Sequence, residues 1–234
     1  MLPYLPAKLQ FARLLSKTDK HITFLSNNMV RYSRRFPYYL GVTERKWSSM
    51  EDQEITRLFL ERSEQALVEL ISKYGKAVAK ITGNILADPQ DAEECANDTY
   101  LGVWNSIPPT IPKSLGAYCC GIARNQALSR YQANTAKKRN SHFDAALDEL
   151  EDTIPALGTV ESELEAKELS GCISEFLAQL PYDDRYAFLR RYYYADSITD
   201  IAETLGKTPH RISVRLFRIR EHLRKYLRKE GMLP

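Results

Sequence analysis

Basic side chains are concentrated near the end of the chain, in a pattern that suits binding to a polyanion. From Lys207 to Lys229 there are nine lysines and arginines and one acid, Glu221, so the local net charge is +8. A phosphate backbone is the natural partner of such a surface. A basic run taken alone also fits a solvated helix or a helix lying on a membrane surface, so the elements that carry the run must decide.

The basic run falls on the second of two short amphipathic helices that are predicted on either side of Gly206. Ser197 suits the N-cap of the first helix, and Gly206 suits its end because glycine adopts positive φ without strain. Thr208 and Pro209 suit the N-cap and the first position of the second helix. Two helices joined by so short a turn are typical of a helix-turn-helix, which docks its second helix into the major groove of DNA.

A line of acids marks a second candidate surface, on a helix predicted to start at Asp88 and Pro89. Asp91, Glu94 and Asp98 are spaced three and four residues apart and therefore share one face of that helix. Like charges at this spacing destabilise a helix unless a basic partner meets them. The acidic line indicates either a docking face for a basic partner or a solvated face.

A third candidate surface is a basic helix, predicted to follow a loop that contains three prolines. From Lys113 to Arg139 the chain has six bases and no acid. These bases alternate with Tyr118, Tyr131 and Asn125, a mixture that suits phosphates and unstacked nucleic-acid bases. The helix is therefore a candidate surface for single-stranded nucleic acid.

Charge is segregated along the 234 residues, although the whole chain carries only +3. An N-terminal extension, residues 1–49, has nine bases and two acids, or +7. Almost every long segment beyond it has helical periodicity, whereas residues 141–160 are acidic, weakly periodic and interrupted by a proline and a glycine. We predict an all-α protein with two small helical domains, 50–140 and 161–234, joined by an acidic linker over 141–160.

Other classes of protein find little support in the sequence. The four cysteines form no Cys-x-x-Cys pair and have no histidine at zinc-ligand spacing, so we expect buried reduced thiols and no metal, although the adjacent Cys119 and Cys120 also fit a redox sensor. No catalytic triad or glycine-rich phosphate loop is present, so we predict neither an enzyme nor a cofactor. No apolar run is long enough for a membrane span or a secretory signal, which favours the cytoplasm.

The ordered set of segments resembles the bacterial RNA polymerase sigma factors of the extracytoplasmic-function (ECF) class, within the sigma-seventy family. Residues 88–107, DPQDAEECANDTYLGVWNSI, resemble the core-binding segment of that family, and residues 115–139, with an Ala-Arg-Asn, resemble its promoter-melting segment. Residues 214–220, Val-Arg-Leu-x-Arg-x-Arg, resemble part of its second domain. The resemblance covers about residues 52–230 and implies a factor that directs RNA polymerase to promoters and helps to open them.

The resemblance also assigns a partner to each candidate surface. The acidic line of Asp91, Glu94 and Asp98 would bind core RNA polymerase, and the acidic linker would thread the nucleic-acid channel of the polymerase. Promoter DNA, duplex and single-stranded, would be contacted at the minus-ten element by Lys113, Tyr118, Arg124, Asn125, Arg130, Tyr131, Lys137, Lys138 and Arg139. The minus-thirty-five element would be contacted by Thr208, His210, Arg211, Ser213, Val214, Arg215, Phe217 and Arg218. Of these, Arg211 or Arg218 is expected to read a guanine edge, and an anti-sigma protein is a further expected partner.

The extension and one other class of protein leave alternatives open. Met50 and the residues after it look like a natural start for this class, so residues 1–49 are expected to be poorly ordered or a product of start-site choice, the alternative being a DNA-tethering arm.

The main alternative function is a one-component transcriptional regulator with an N-terminal sensing or dimerising domain. Such a regulator would need an apolar pocket and a dimer face, whereas the basic helix and acidic linker suit polymerase and single-stranded DNA.

Overall fold

A computed structural model describes residues 50–134, 141–153 and 163–233, and every regular element within them is an α-helix. The helices form two units, residues 50–134 and residues 141–153 with 163–233. This confirms the predicted all-α fold. Within the described residues, no helix is both long and apolar enough to cross a membrane. The N-terminal extension lies outside the described residues, as do Lys137, Lys138 and Arg139.

The N-terminal unit contains four helices, whose starts follow from local sequence. They are α1 Asp52–Leu60, α2 Gln65–Ile85, α3 Pro89–Ser106 and α4 Leu115–Ala133. As predicted, Asp88 caps α3, since its carboxylate accepts hydrogen bonds from the amides of Gln90 and Asp91 at 2.9 and 3.2 Å. Ser114 caps α4 in the same way, accepting from the amide of Ala117 at 3.3 Å. The three prolines between α3 and α4 leave this connection non-helical.

Helices α2 and α4 approach closely where Gly116 faces the ring of Tyr74. A β-carbon at residue 116 would lie 2.5 Å from Cε1 of Tyr74. The ring is held in place because its hydroxyl donates to Asp52 Oδ1 at 2.5 Å, and Asp52 is paired with Lys73 at 2.8 Å. Burial, together with Asp52, raises the pKa of Tyr74 well above its usual range, so this hydroxyl remains a donor. Any side chain at residue 116 would therefore force either α4 or the ring of Tyr74 to move.

The C-terminal unit contains five helices arranged around the last of them. They are α5 Ser141–Thr153, α6 Glu163–Gln179, α7 Tyr182–Tyr192, α8 Ile198–Leu205 and α9 Pro209–Lys229. Helix α9 contacts each of the other four. Its buried stripe, at spacings of three and four residues, consists of Ile212, Leu216, Ile219, Leu223 and Leu227. This stripe is the part of the core of the unit that α9 contributes.

The prediction of an acidic linker over residues 141–160 is wrong for the first half of that range. Helix α5 occupies Ser141–Thr153 and packs onto the C-terminal unit. Its buried apolar residues lie on one face and are Phe143, Ala146, Leu147 and Leu150. Four apolar residues at helical spacing were present in the sequence, but the acids between them obscured the pattern. Burial against α7 and α9 stabilises this helix despite its negative charge.

Candidate nucleic-acid interface

The predicted helix-turn-helix is formed by α8 and α9. Ser197 caps α8, since its hydroxyl oxygen accepts a hydrogen bond from the amide of Asp200 at 3.1 Å. Gly206 ends α8 with a left-handed backbone, φ 62°. Thr208 caps α9, accepting from the amide of Arg211 at 3.4 Å. Local hydrogen bonds and one glycine thus hold the short turn between the helices, as predicted.

The face of α9 opposite its buried stripe carries most of the predicted minus-thirty-five contacts. Arg211 and Arg218 are exposed, with half-buried Val214 between them. Seven residues of helix rise about 10 Å, so the two guanidinium groups are spaced to reach base pairs about three steps apart. Phe217 is 56% exposed, and an apolar ring on such a face suits contact with a thymine methyl group. The remaining members at this surface are exposed Thr208 and His210 and half-buried Ser213.

One predicted minus-thirty-five contact, Arg215, is engaged within the unit. Its Nη1 lies 3.5 Å from Asp183 Oδ2, and its Nε pairs with Asp184. Both acids belong to α7, so Arg215 joins α7 to α9 and is directed away from a free DNA-binding position. Since the pair is partly exposed, it contributes less than about 1 kcal/mol to stability.

A groove of about 540 Å³ runs along the N-terminal half of α9. Its basic lining includes Lys207, His210, Arg211, Arg218 and His222, and its apolar lining includes Leu180, Ile212, Val214 and Ile219. Asp184 and Arg215 complete it as an internal ion pair. The excess of cations in a groove at a helix N-terminus suits an anionic backbone.

Lys113, Tyr118 and Asn125 of the predicted minus-ten set reach the surface of the N-terminal unit, as does Arg130, which is paired with α3. Lys113 and Asn125 are exposed, and Tyr118 is half-buried. Tyr118 and Asn125 are seven residues apart and therefore lie on the same face of α4. This face is polar and nearly uncharged, in contrast to the strongly basic face of α9.

Two members of the minus-ten set are core residues, and their prediction as DNA contacts is wrong. Arg124 is fully buried, and Tyr131 is only 6% exposed. Both lie on the same stripe of α4 as Cys120 and Ala127, which are also buried. The sequence shows that α4 is basic and carries aromatic residues, but residue type alone does not identify which side of the helix is buried.

The basic partner that the acidic line requires is Arg130 of α4, within the same unit. Arg130 Nη2 lies 2.9 Å from a carboxylate oxygen of Glu94, and its Nη1 donates to the carbonyl of Asp91 at 3.0 Å. Asn134 donates to the Asp91 carboxylate at 2.9 Å. Arg130 is thus paired with α3 while its side chain remains 30% exposed, and its predicted contact with the minus-ten element stays a prediction.

The far end of the acidic line remains exposed. Asp98 is exposed, and Leu101, one turn further along α3, is 57% exposed. An acid followed at a spacing of three by an exposed leucine is a surface that suits a basic and partly apolar partner. Leu101 was missed in the sequence, although an apolar residue on the polar face of a helix was a visible signal.

The thiols do not form a reactive centre. All four cysteines are free, three are buried, and Cys172 is half-buried. Burial raises the pKa of Cys95 to about 11 and holds that of Cys119 well above its usual range. A protonated thiol is a poor nucleophile, and Cys120 beside it is only 2% exposed, which disfavours a redox sensor at this pair. Within the described part of the chain, no three metal-binding side chains lie together.

The fold and its surfaces define a helical DNA-binding protein with a helix-turn-helix unit and a second helical unit. Two family models match the chain, Sigma-70 region 2 over residues 70–137 and Sigma-70, region 4, over residues 170–223. These matches of 68 and 54 residues together cover 122 of 234, just over half of the chain. The chain therefore belongs to the sigma-70 family of RNA polymerase sigma factors, in its ECF class.

Other comparisons add little to this assignment. No curated protein matches the chain. The solved structure of CnrH in complex with the cytosolic domain of CnrY is similar at 17% sequence identity, covers 76% of this chain and 97% of that chain, and has a TM-score of 0.37. The family assignment rests on the two region matches and not on this structure.

Membership of the family establishes the general function. The protein is a sigma factor that directs RNA polymerase to promoters and acts in transcription initiation, with core RNA polymerase and promoter DNA as its partners. Sigma factors are initiation factors rather than enzymes. The one-component regulator is not favoured, because region 2 occupies the part of the chain where a sensing or dimerising domain was considered.

Proposed function

We propose that the C-terminal unit reads the minus-thirty-five element through the exposed face of α9, with Arg211 and Arg218 as the base-reading residues. The observation that supports this proposal is their common exposure on one face, two turns apart, beside the basic groove. Arg215, which is paired with α7, is not among the proposed contacts. A bidentate arginine–guanine contact contributes about 1 to 3 kcal/mol of discrimination, while the other cations of α9 bind phosphates.

The N-terminal unit captures the minus-ten element through Lys113, Tyr118 and Asn125. Opening a base pair costs a few kcal/mol, and stacking of an extruded base on an aromatic ring returns a comparable amount. The half-buried ring of Tyr118 and the exposed amide of Asn125 are suited to stacking and hydrogen bonding with such a base. Lys113 supplies the charge for a neighbouring phosphate.

Core RNA polymerase binds the acidic line on α3 at its exposed end. Asp98 and Leu101 form the centre of this contact, while Glu94 and Asp91 are already engaged by α4. A basic, partly apolar polymerase surface complements this pair, since charge provides orientation and the leucine provides buried apolar area.

The compartment and the regulation of the factor follow from its partners. We place it in the cytoplasm, because RNA polymerase and promoter DNA lie there in bacteria. An anti-sigma protein is a further predicted partner, and this prediction rests on the resemblance to the ECF class. The domains proposed are a region 2 domain over 50–140 and a region 4 domain over 161–234, to which α5 adds Ser141–Thr153.

Run-off transcription with purified core polymerase tests the overall proposal. Genomic fragments are transcribed with and without the factor, and the transcript starts are mapped. We expect starts that appear only with the factor and that share two upstream elements near minus ten and minus thirty-five. An unchanged set of starts would show that the proposed promoter contacts are wrong.

Variants of α3 test the polymerase contact separately. Asp98→Asn and Leu101→Ala should each weaken binding to core polymerase several-fold, because both remove part of the exposed contact. Glu93→Gln is the matched control, since Glu93 is an exposed acid of the same helix that lies outside the acidic line. Equal binding by all three variants would place the polymerase contact elsewhere.

A further inference from the structure

Helix α5 lies outside both family matches, yet it is part of the C-terminal unit. The matches cover residues 70–137 and 170–223, and α5 occupies Ser141–Thr153 between them. Its apolar face packs against α7 and against the DNA-reading helix α9. The buried residues of this face are Phe143, Ala146, Leu147 and Leu150. Helix α5 is therefore an addition to the matched region 4 that contacts the helix proposed to read promoter DNA.

A single carboxylate of α5 joins α7 to α9. One oxygen of Glu149 accepts a hydrogen bond from Arg191 Nη2 at 2.8 Å. The other oxygen accepts from the Tyr192 hydroxyl at 2.7 Å and from Arg220 Nη1 at 3.0 Å. Burial and the Glu149 carboxylate raise the pKa of Tyr192, which keeps its hydroxyl protonated as a donor. The Glu149 carboxylate thus holds one arginine of α7 and one arginine of α9 at the same place.

Both arginines are buried enough to depend on this carboxylate. The side chain of Arg191 is 3% exposed and that of Arg220 is 11% exposed. Removing the partner of a buried charge is unfavourable, because the remaining charge has lost its hydration without a counter-charge to replace it. Arg191 has a further anchor in the carbonyl oxygen of Asp196, to which its Nη1 donates at 3.2 Å. Arg220 lies nearer the surface, so loss of Glu149 should move the Arg220 guanidinium first.

The guanidinium that Glu149 holds lies beside a ring of the DNA-reading face. Phe217 precedes Arg220 by one turn of α9, and the guanidinium carbon of Arg220 is 5.9 Å from the centre of the Phe217 ring. The Phe217 side chain is 56% exposed. A cation at this distance attracts the face of an aromatic ring. A fixed guanidinium therefore favours one position of a ring that solvent alone would leave free to change rotamer.

We propose that Glu149 is a positioning residue of the DNA-reading helix, which holds the Arg220 guanidinium and through it orients the Phe217 ring for contact with one base of the minus-thirty-five element. The base that fits is thymine, because its methyl group is the apolar group that a base pair presents in the major groove. The proposal rests on the proposed function, in which the exposed face of α9 reads that element. Helix α5 is then part of the promoter-reading unit.

Uracil in place of single thymines in the promoter tests the contact of the ring, since uracil lacks the methyl group. The full-length factor is bound to core polymerase, and the DNA fragments come from promoters whose starts depend on the factor. Burial of one methyl group favours binding about fourfold, so we expect one thymine at which uracil weakens binding by about this factor. Phe217→Ala should abolish the difference between thymine and uracil at that position.

Two variants of the network should reduce the same difference. Glu149→Gln keeps the shape of the side chain and removes its charge, and Arg220→Met keeps an unbranched stem and removes the guanidinium. Each should lower the preference for thymine over uracil from about fourfold to less than about twofold. The double variant should lower it no further, because both changes remove the same restraint on Phe217.

Two further variants of this design keep it interpretable. Asp148→Asn removes an exposed acid of the same helix and should leave the preference for thymine unchanged. Arg220→Met decides the question if Glu149→Gln does not fold, because it leaves Glu149 paired with Arg191. The free energy of unfolding of each variant is measured by urea denaturation, so that binding is compared only among folded proteins.

A purely structural role of Glu149 would affect every base of the element alike. The base preferences at the positions read by Arg211 and Arg218 are the internal reference, and they should persist in Glu149→Gln and Arg220→Met. Equal loss of preference at all positions would overturn the positioning role. A full thymine preference in both variants would overturn it as well.

The outcomes also separate this proposal from the proposed function. If Phe217→Ala leaves every difference between thymine and uracil intact, the ring contacts no methyl group and the positioning role alone is overturned. A factor that binds core polymerase but selects no promoter would overturn the proposed promoter contacts, and the positioning role with them.

Discussion

Replacing Gly116 with alanine should destabilise the N-terminal unit through a single steric contact. The added β-carbon would lie 2.5 Å from Cε1 and 2.9 Å from Cζ of Tyr74, distances that normal carbon contacts do not reach. The ring cannot turn away easily, because its hydroxyl is bound to Asp52, which is itself paired with Lys73. Either α4 shifts away from α2 or the Tyr74–Asp52 hydrogen bond is lost.

The magnitude follows from two opposing effects. Overpacking of this kind costs typically about 1 to 3 kcal/mol. Alanine recovers about 0.5 to 1 kcal/mol because it favours a helix more than glycine does. The difference is a net loss of between about 0 and 2.5 kcal/mol. Because Asp52 restrains the ring, we expect about 1 to 2 kcal/mol, which lowers the melting temperature of a unit of this size by about 5 to 15 °C.

A matched substitution in the neighbouring helix should have the opposite sign. Gly83 is exposed on α2, and a β-carbon there would meet no atom within 4 Å. Gly83→Ala should stabilise the unit by about 0.5 to 1 kcal/mol through helix propensity alone. The same chemical change thus tests packing at one site and propensity at the other.

Urea and thermal denaturation, followed by circular dichroism and by the fluorescence of Trp104 on α3, measure both effects. A double-mutant cycle with Tyr74→Ala assigns the cause, because without the ring Gly116→Ala should no longer be destabilising. The reasoning is refuted if Gly116→Ala is as stable as the original chain, or if its cost is unchanged in the Tyr74→Ala background.

Three further predictions concern the C-terminal unit and the thiols. Gly206→Ala should lower the free energy of unfolding of the C-terminal unit by about 1 kcal/mol, because φ 62° strains any other L-residue; equal urea midpoints would contradict this. Arg211→Ala and Arg218→Ala should each relax base preference at one minus-thirty-five position by about 1 to 3 kcal/mol in binding assays at fixed salt, whereas uniform weakening on all sequences would indicate phosphate contacts only. In a thiol-reagent assay at pH 8, Cys172 should react first, because the raised pKa and full burial of Cys119 leave almost no accessible thiolate there. Denatured protein gives the reference rate for each cysteine, and equal rates for Cys172 and Cys119 in the native protein would refute this.

The helix starts and the helix-turn-helix could be predicted from the sequence because they depend on residues within four positions of each other. The hydroxyl of Thr208 bonds the amide three residues later, and Gly206 supplies a backbone conformation that other residues avoid. The buried stripe of α9 follows from periodicity alone. Such local rules hold whatever the rest of the chain does.

The availability of each charged side chain was decided only by tertiary structure. Arg124, Arg130 and Arg211 all lie on basic helices, yet the first is buried, the second is bound to α3, and the third is exposed where it can reach DNA. The partner of Arg130, Glu94, lies 36 residues earlier in the chain, so no local pattern could reveal the pair.

Helix α5 shows the same division between local and tertiary information. The sequence by itself determined that residues 141–153 are acidic, and that composition is typical of a solvated linker. Only the folded C-terminal unit offers the apolar surface for Leu147 and the two arginines that bind Glu149. Burial and ion pairing need surfaces assembled from distant residues, whereas capping and periodicity need only neighbours, and this difference set what the sequence alone could determine.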